Sequence, residues 1–392
     1  MGTIAAASIE AGCTRLKHDE QDKPSPADEN VSHHEELLPQ NLDFLNTAPH
    51  PKVYKVPATL QGRKLHGLFT GYTGIDGVVP PEVSTDYRER LAHLVRVKLE
   101  RAKEDSGDGM YPQPMLRTFK KLFEEYDPEK AKLSSLETYR ASIETSLSEV
   151  RAHMDLGKMA EIRAFKHFGE EHVALLKKLE AMISATGLLA YSVTELMPTQ
   201  GADAPVGIEL YDFLLRTAGL DFLERIPAEG DDKISLGQFQ FTEFALYGVA
   251  GHERGASLVQ KHILPKQFHI PGSVAQLRGA DHQKAAHLFA IHNIAHAISK
   301  LSVKQVEALC ADMKWIDAED LVAFTAAAHN LPAPSYHAFE AYAGEYLVAK
   351  KHGKDLDYDL IDYIRNRSPQ LAGPYAKKTG DNYQVLLKRF ER

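Results

Sequence analysis

The stretch AMISATGLLAYSVTELMP, Ala181 to Pro198, decides how this chain reads. With Leu175 and Leu179 just before it, Met182, Ile183, Leu189, Val193 and Leu196 recur at the spacing of one helical face, and Pro198 closes the segment. Glu195 falls in the last turn, close to the face that must be buried. An ionised carboxylate is costly there. Burial without a cationic partner raises a carboxyl pKa, and a carboxyl still protonated near neutrality can pass its proton to a leaving oxygen. That is the profile of a general acid. A frayed, solvated helix end before a proline has the same local pattern, so segments farther along the chain have to separate the two readings.

Four segments follow in order: SLGQFQFT (235–242), HNIAHAISKL (292–301), DLVAFTAAAHNLP (320–332) and GDNYQVLLKRF (380–390). Over residues 175–390 this order resembles the lysozyme-like fold of soluble lytic transglycosylases and goose-type lysozymes. In that family a helix-terminal Glu is followed by a Gly-Leu-Met-Gln type turn, an Asn-Ile helix, an Ala-Tyr-Asn segment and a closing helix with Asn-Tyr-Val. Glu195 matches the catalytic acid, and Gly237, Gln238 and Gln240 match the turn that walls the sugar cleft. Asn293 and Ile294 match the Asn-Ile helix; Ala328, His329 and Asn330 match Ala-Tyr-Asn, with His329 in place of Tyr; Asn382 and Tyr383 match the closing helix. Leu196 stands where the family has Ser, and the longer spacers imply insertions near 199–233 and 243–285.

The resemblance implies cleavage of peptidoglycan glycan strands between N-acetylmuramic acid and N-acetylglucosamine, without a cofactor. Glu195 is the expected catalytic residue, and Gly237, Gln238, Phe239, Gln240, Asn330 and Tyr383 are the expected substrate-binding set. A glycosidase of the usual kind also needs a second carboxylate as nucleophile or base. Asp203, Asp212, Asp231, Asp232 and Glu243 are available, but no motif singles one out. This favours lytic transglycosylation, in which the sugar's own hydroxyl attacks, over a muramidase.

Metal chemistry is the main alternative. His282, His287, His292 and His296 crowd one region, and His292 and His296 stand four apart on a helix, a spacing that can bring two imidazoles to one metal. In HNIAH, however, Asn293 takes the place of the Glu that zinc proteases use as base, so Glu340 or Glu345 would have to join from elsewhere. A third alternative is a non-catalytic protein that grips glycan or a partner, because a fold by itself does not fix a function.

Composition bounds these readings. In 392 residues, 43% hydrophobic, there is material for a substantial core, and no apolar run is long enough to cross a membrane as a helix. The formal net charge of -8 argues against nucleic acid as a partner. Two cysteines, Cys13 and Cys310, make neither a disulfide framework nor a cysteine-based zinc site, and Cys310 fits a helical core position. The start MGTIAAASIEAGCTRLKHDE lacks a basic leader region and is interrupted by Glu10, so no signal peptide is read. The functional reading nevertheless implies a periplasmic or secreted protein, exported by another route or under a leader since removed. Oligomeric state is not encoded in any pattern found.

The expected fold is mainly α, in three parts. Residues 1–50, rich in Ser, Pro, Asp, Glu, Asn and His, are expected to form a disordered tail. Residues 51–160 are expected to form a helical N-terminal unit with a short extended arm at 53–80, helices over 82–105 and 113–126, and a third opened by a capping box of Ser134 and Glu137. Residues 161–392 are expected to form the lysozyme-like domain, with LGK and HFG interrupting the helical run near the boundary.

Overall fold

A computed structural model describes residues 52–64, 78–85, 87–105, 113–197, 201–227, 234–246, 255–370 and 372–391. The tail expected over residues 1–50 lies outside them. The described chain opens as an antiparallel ribbon, β1 (Lys52–Lys55) against β2 (Glu82–Thr85), with Lys52 opposite Thr85. Strand β2 takes residues expected to begin a helix. Its Val83 and Thr85 are β-branched, and β1 supplies the edge they pair with, so helix α1 starts only at Tyr87 and runs to Asp105. Leu91, Val95 and Leu99 of α1 and Leu116, Phe119, Leu122 and Phe123 of α2 (Gln113–Glu124) are buried at the expected helical spacing.

Helix α3 (Leu136–His153) begins one residue later than the Ser134–Glu137 pattern predicts. Ser135 is its N-cap, accepting a hydrogen bond from the Thr138 backbone N–H at 3.2 Å. The boundary expected near residue 160 does not divide the structure, and the segment around it is continuous with the rest of the unit that holds all the described residues. LGK opens the first of two 3₁₀ turns, Leu156–Glu161 and Arg163–Phe165, whose Leu156, Met159 and Phe165 are buried in the common core, and HFG leads from the second to the next helix, with Gly169 as its N-cap.

The apolar run before Glu195 is two helices. Helix α4 (Glu170–Ala181) ends, and α5 (Ala185–Leu196) restarts with Ser184 capping the Gly187 N–H at 3.0 Å. Then follow α6 (Ala204–Thr217), a short hairpin of β3 (Ser235–Leu236) and β4 (Phe241–Thr242), α7 (Gly255–Ile263), α8 (Ala280–Ile298), α9 (Val303–Ala311), α10 (Ala318–Asn330), α11 (Pro332–Lys351), α12 (Leu360–Arg367) and α13 (Ala372–Phe390). The fold is mainly α. Among the described residues, no helix is long and apolar enough to cross a membrane.

Helix α5 lies at the centre, packed against α3, α6, α10 and α13. A helix enclosed by others is apolar all round, and every residue of α5 except Glu195 is buried. Cys310 on α9 is half-buried, a free thiol packed against the core edge.

Candidate active site

Glu195 is the least buried residue of α5, and even so its side chain is only 5% exposed. Three helices converge on it. From α10, the Asn330 side-chain amide donates to Glu195 Oε1 at 3.0 Å, and Asn330 itself is exposed, so the carboxyl approaches the surface on that side. From α13, Lys378 Nζ donates to the carbonyl of Thr194 at 2.6 Å, and Asn382 donates to the Thr194 hydroxyl at 3.0 Å. From one turn earlier on α5, the Tyr191 hydroxyl bonds His329 Nδ1. His329 Nδ1 is 3.8 Å from Glu195 Oε1, too far for a hydrogen bond.

The charges at this point are set by burial. Burial pushes the Glu195 carboxyl up to about 7, against the opposing pull of Lys378 and the Asn330 amide. Burial also pushes the Lys378 ammonium down to about 8, opposed by Glu195. His329 is brought down to about 4 by burial and is neutral at pH 7. Its Nδ1 therefore serves as acceptor, and the Tyr191 hydroxyl, held well above its ordinary value by burial and then by Glu195, donates to it. Near neutrality the site thus holds a carboxyl that can carry a transferable proton, with a cation and an amide beside it.

The Gly/Gln turn lies against the same helix but presents little to it. Ser192 Oγ donates to the Gln238 carbonyl at 2.8 Å, and Phe239 packs on Tyr191 with ring centroids 5.2 Å apart. Gln238 and Phe239 have no exposed surface, and the Gln238 side-chain oxygen accepts from Tyr139. Gln240, at φ +49°, folds its amide back onto the carbonyls of Gly237 (2.7 Å) and Ile226 (2.9 Å). Gly237, at φ +81°, lets the turn close on His282. These side chains hold the hairpin together instead of lining an open wall. Tyr383 is buried with its hydroxyl on Ser184, at the opposite end of α5 from Glu195, about three helical turns away. Of the expected substrate-binding set, only Asn330 touches the carboxyl.

Two of the candidate second carboxylates, Asp212 and Glu243, are engaged elsewhere. Asp212 accepts the Leu136 backbone N–H at 2.9 Å and pairs with Arg216 and Arg389. Glu243 accepts from Ser273 and from the Val274 N–H. Asp203 stands exposed at the start of α6, and Asp231 and Asp232 lie outside the described residues.

The histidines do not converge either. His287 Nε2 meets Glu180 Oε1 at 2.7 Å, His292 and His296 are stacked with ring centroids 6.1 Å apart, and Tyr336 covers His296 at 4.5 Å. Glu345 is held by Tyr358, Tyr363 and Arg367, and Glu340 sits beside the exposed His337. Among the described residues, no group of three or more His, Cys, Asp or Glu is placed to hold a metal.

Sequence reasoning missed Lys378 and Tyr191. Both carried a helical signal: Tyr191 precedes Glu195 by one turn, and Lys378 precedes Asn382 by one turn on the same face. No family model matches this chain, and no curated protein or solved structure matches it.

Proposed function

We propose that this protein cleaves the glycan strands of peptidoglycan between N-acetylmuramic acid and N-acetylglucosamine by lytic transglycosylation, with Glu195 as general acid. The observation that carries the reading is the Glu195 carboxyl itself: desolvated in the last turn of a central helix, raised to about 7, and hydrogen-bonded to Asn330 near the surface. In the reaction, Glu195 gives its proton to the glycosidic oxygen as the bond from that oxygen to C1 of the muramic acid breaks. The C6 hydroxyl oxygen of the same sugar attacks C1, and its proton returns to the Glu195 carboxylate. One carboxyl serves both steps, and the tethered hydroxyl has the high effective concentration of an intramolecular group. The positions of Asp212 and Glu243, each held by other partners, support this route over a muramidase.

The 5% exposure of the Glu195 side chain favours a second reading, in which the cluster is structural and the protein binds glycan or a partner without cleaving it. Incubation with purified peptidoglycan separates the two. Soluble anhydro-muropeptides, lost with Glu195→Gln, support the first reading. Predominantly reducing ends would reject transglycosylation, and sedimentation with intact sacculi without release of fragments would favour the second reading.

A further inference from the structure

Pro198 lacks a backbone N–H, and in an α-helix the carbonyl of residue i is taken by the N–H of residue i+4. The Thr194 carbonyl is therefore denied its ordinary helical donor by the sequence, at the negative end of the helix dipole, where a cation is favoured. Lys378 of α13 fills this place, with Nζ 2.6 Å from the Thr194 oxygen, and Asn382, one turn on, fixes the Thr194 hydroxyl. The next residue of α5 is Glu195.

We infer that Lys378 is a positioning residue: tied to the carbonyl that Pro198 leaves open, it fixes a positive charge beside Glu195 and so governs when that carboxyl holds its proton. The inference rests on Glu195 being the acid of the proposed reaction. The other groups at the carboxyl carry no charge at neutral pH: Asn330 and the neutral His329 from α10, and Tyr191 from α5 itself. Arg140 of α3 lies toward the far end of α5 on Thr186, and Glu209 and Asp212 of α6 pair with Arg389. Among the described residues, Lys378 is thus the cation whose removal changes the field at Glu195. An opposite charge nearby lowers a carboxyl pKa by about one to three units, the range in which its loss is readable.

The test is a carbon-13 NMR titration of the full chain labelled at the Glu side-chain carboxyl, with Glu195→Gln assigning the resonance, followed by pH profiles of peptidoglycan cleavage. Lys378→Gln keeps an amide N–H for the Thr194 carbonyl but removes the charge; Lys378→Arg keeps both. The Glu195 midpoint should rise by about one unit or more in Lys378→Gln, about tenfold in proton affinity, and stay close to wild type in Lys378→Arg. The alkaline limb of the cleavage profile should move up with it. An unmoved midpoint in Lys378→Gln, or an equal rise in both variants, overturns the inference. A raised midpoint in a protein that cleaves no glycan leaves the role of Lys378 standing and removes the glycan reading instead. Should Lys378→Gln fail to fold, Lys378→Met carries the same expected rise.

Discussion

Asn330 reaches Glu195 across 3.0 Å, tying the last residue of α10 to the last turn of α5 although 135 positions separate them in sequence. Its exposed amide is the side of the carboxyl that a substrate meets first in the proposed reaction. Asn330→Asp replaces this donor with a second carboxylate and should drive the Glu195 titration further upward, moving the alkaline limb of the cleavage profile up, so that any loss of cleavage is smaller at alkaline pH than at acid pH. A uniform loss across the pH profile would count against a role for the amide in holding the charge.

Replacing Glu195 with Gln should lower glycan cleavage by about a hundredfold or more, the size of a general-acid contribution. Its effect on stability has a pH sign. The folded carboxyl is raised from its ordinary 4.5 to about 7, so the fold binds its proton more tightly than the unfolded chain does, and stability falls as pH rises through this window. Glu195→Gln removes the penalty. Its thermal midpoint relative to wild type should therefore be higher at pH 8 than at pH 4, and a difference independent of pH would contradict the buried, raised carboxyl.

A second buried charge cluster behaves in the opposite way. Arg151 Nε meets Glu180 Oε1 at 2.8 Å, and His287 lies on the same oxygen. Burial raises the Glu180 pKa, but His287 and Arg151 outweigh it and leave the carboxyl below its ordinary value. For His287, burial outweighs Glu180 and lowers the imidazole pKa, so the ring is best described as a neutral donor, with Arg151 as the charge partner. Both shifts favour the fold at neutral pH and lose effect on acidification, His287 as pH falls below its ordinary 6.5 and Glu180 as pH falls from 4.5 through its lowered value. Glu180→Ala takes the carboxylate from the buried His287 and from a half-buried guanidinium that keeps the carbonyls of residue 180 and Ile183; it should cost about 1–3 kcal/mol in urea unfolding at pH 7 and flatten the acid dependence.

Gly237→Ala tests the hairpin. At φ +81°, the added Cβ stands 2.5 Å from His282 Cε1 and 2.8 Å from His282 Nδ1. Backbone strain alone is on the order of 1–3 kcal/mol, and the ring contact adds to it. Differential scanning calorimetry should show a lowered midpoint, partly restored by a second change of His282 to Ala. Full restoration would mean that the backbone conformation costs nothing.

The histidines should prove independent of metal. Freshly purified protein should hold far less than one zinc or iron per chain by elemental analysis, and chelation should leave glycan cleavage intact. Activity lost on chelation and regained with one metal would move the chemistry to His292 and His296.

The helices were legible because their apolar periodicity is strong, as at Leu116, Phe119, Leu122 and Phe123. The restart at Ser184 was hidden, since a capping serine inside an apolar run looks like any small residue until its hydroxyl is seen on the Gly187 N–H. β2 was hidden too, because a four-residue strand depends on a partner some thirty positions away. Of the site, Glu195 and Asn330 could be named in advance, but Lys378 reaches α5 from 184 positions away, a separation that no local pattern encodes. Gln238 and Gln240 were expected to point outward; their side chains found acceptors and donors within the turn and at Tyr139.

Helix α13 also bears on when a chain becomes competent. Lys378 and Asn382 hold Thr194, and Asp381 holds the Gly201 N–H at 3.0 Å, so this one helix pins both the end of α5 and the residues that lead into α6. A nascent chain translated only as far as residue 370 has made Glu195 and Asn330 but neither of these clamps. The acid thus emerges before its counter-charge, and the site is completed only when α13 has been made, after α5 and α10.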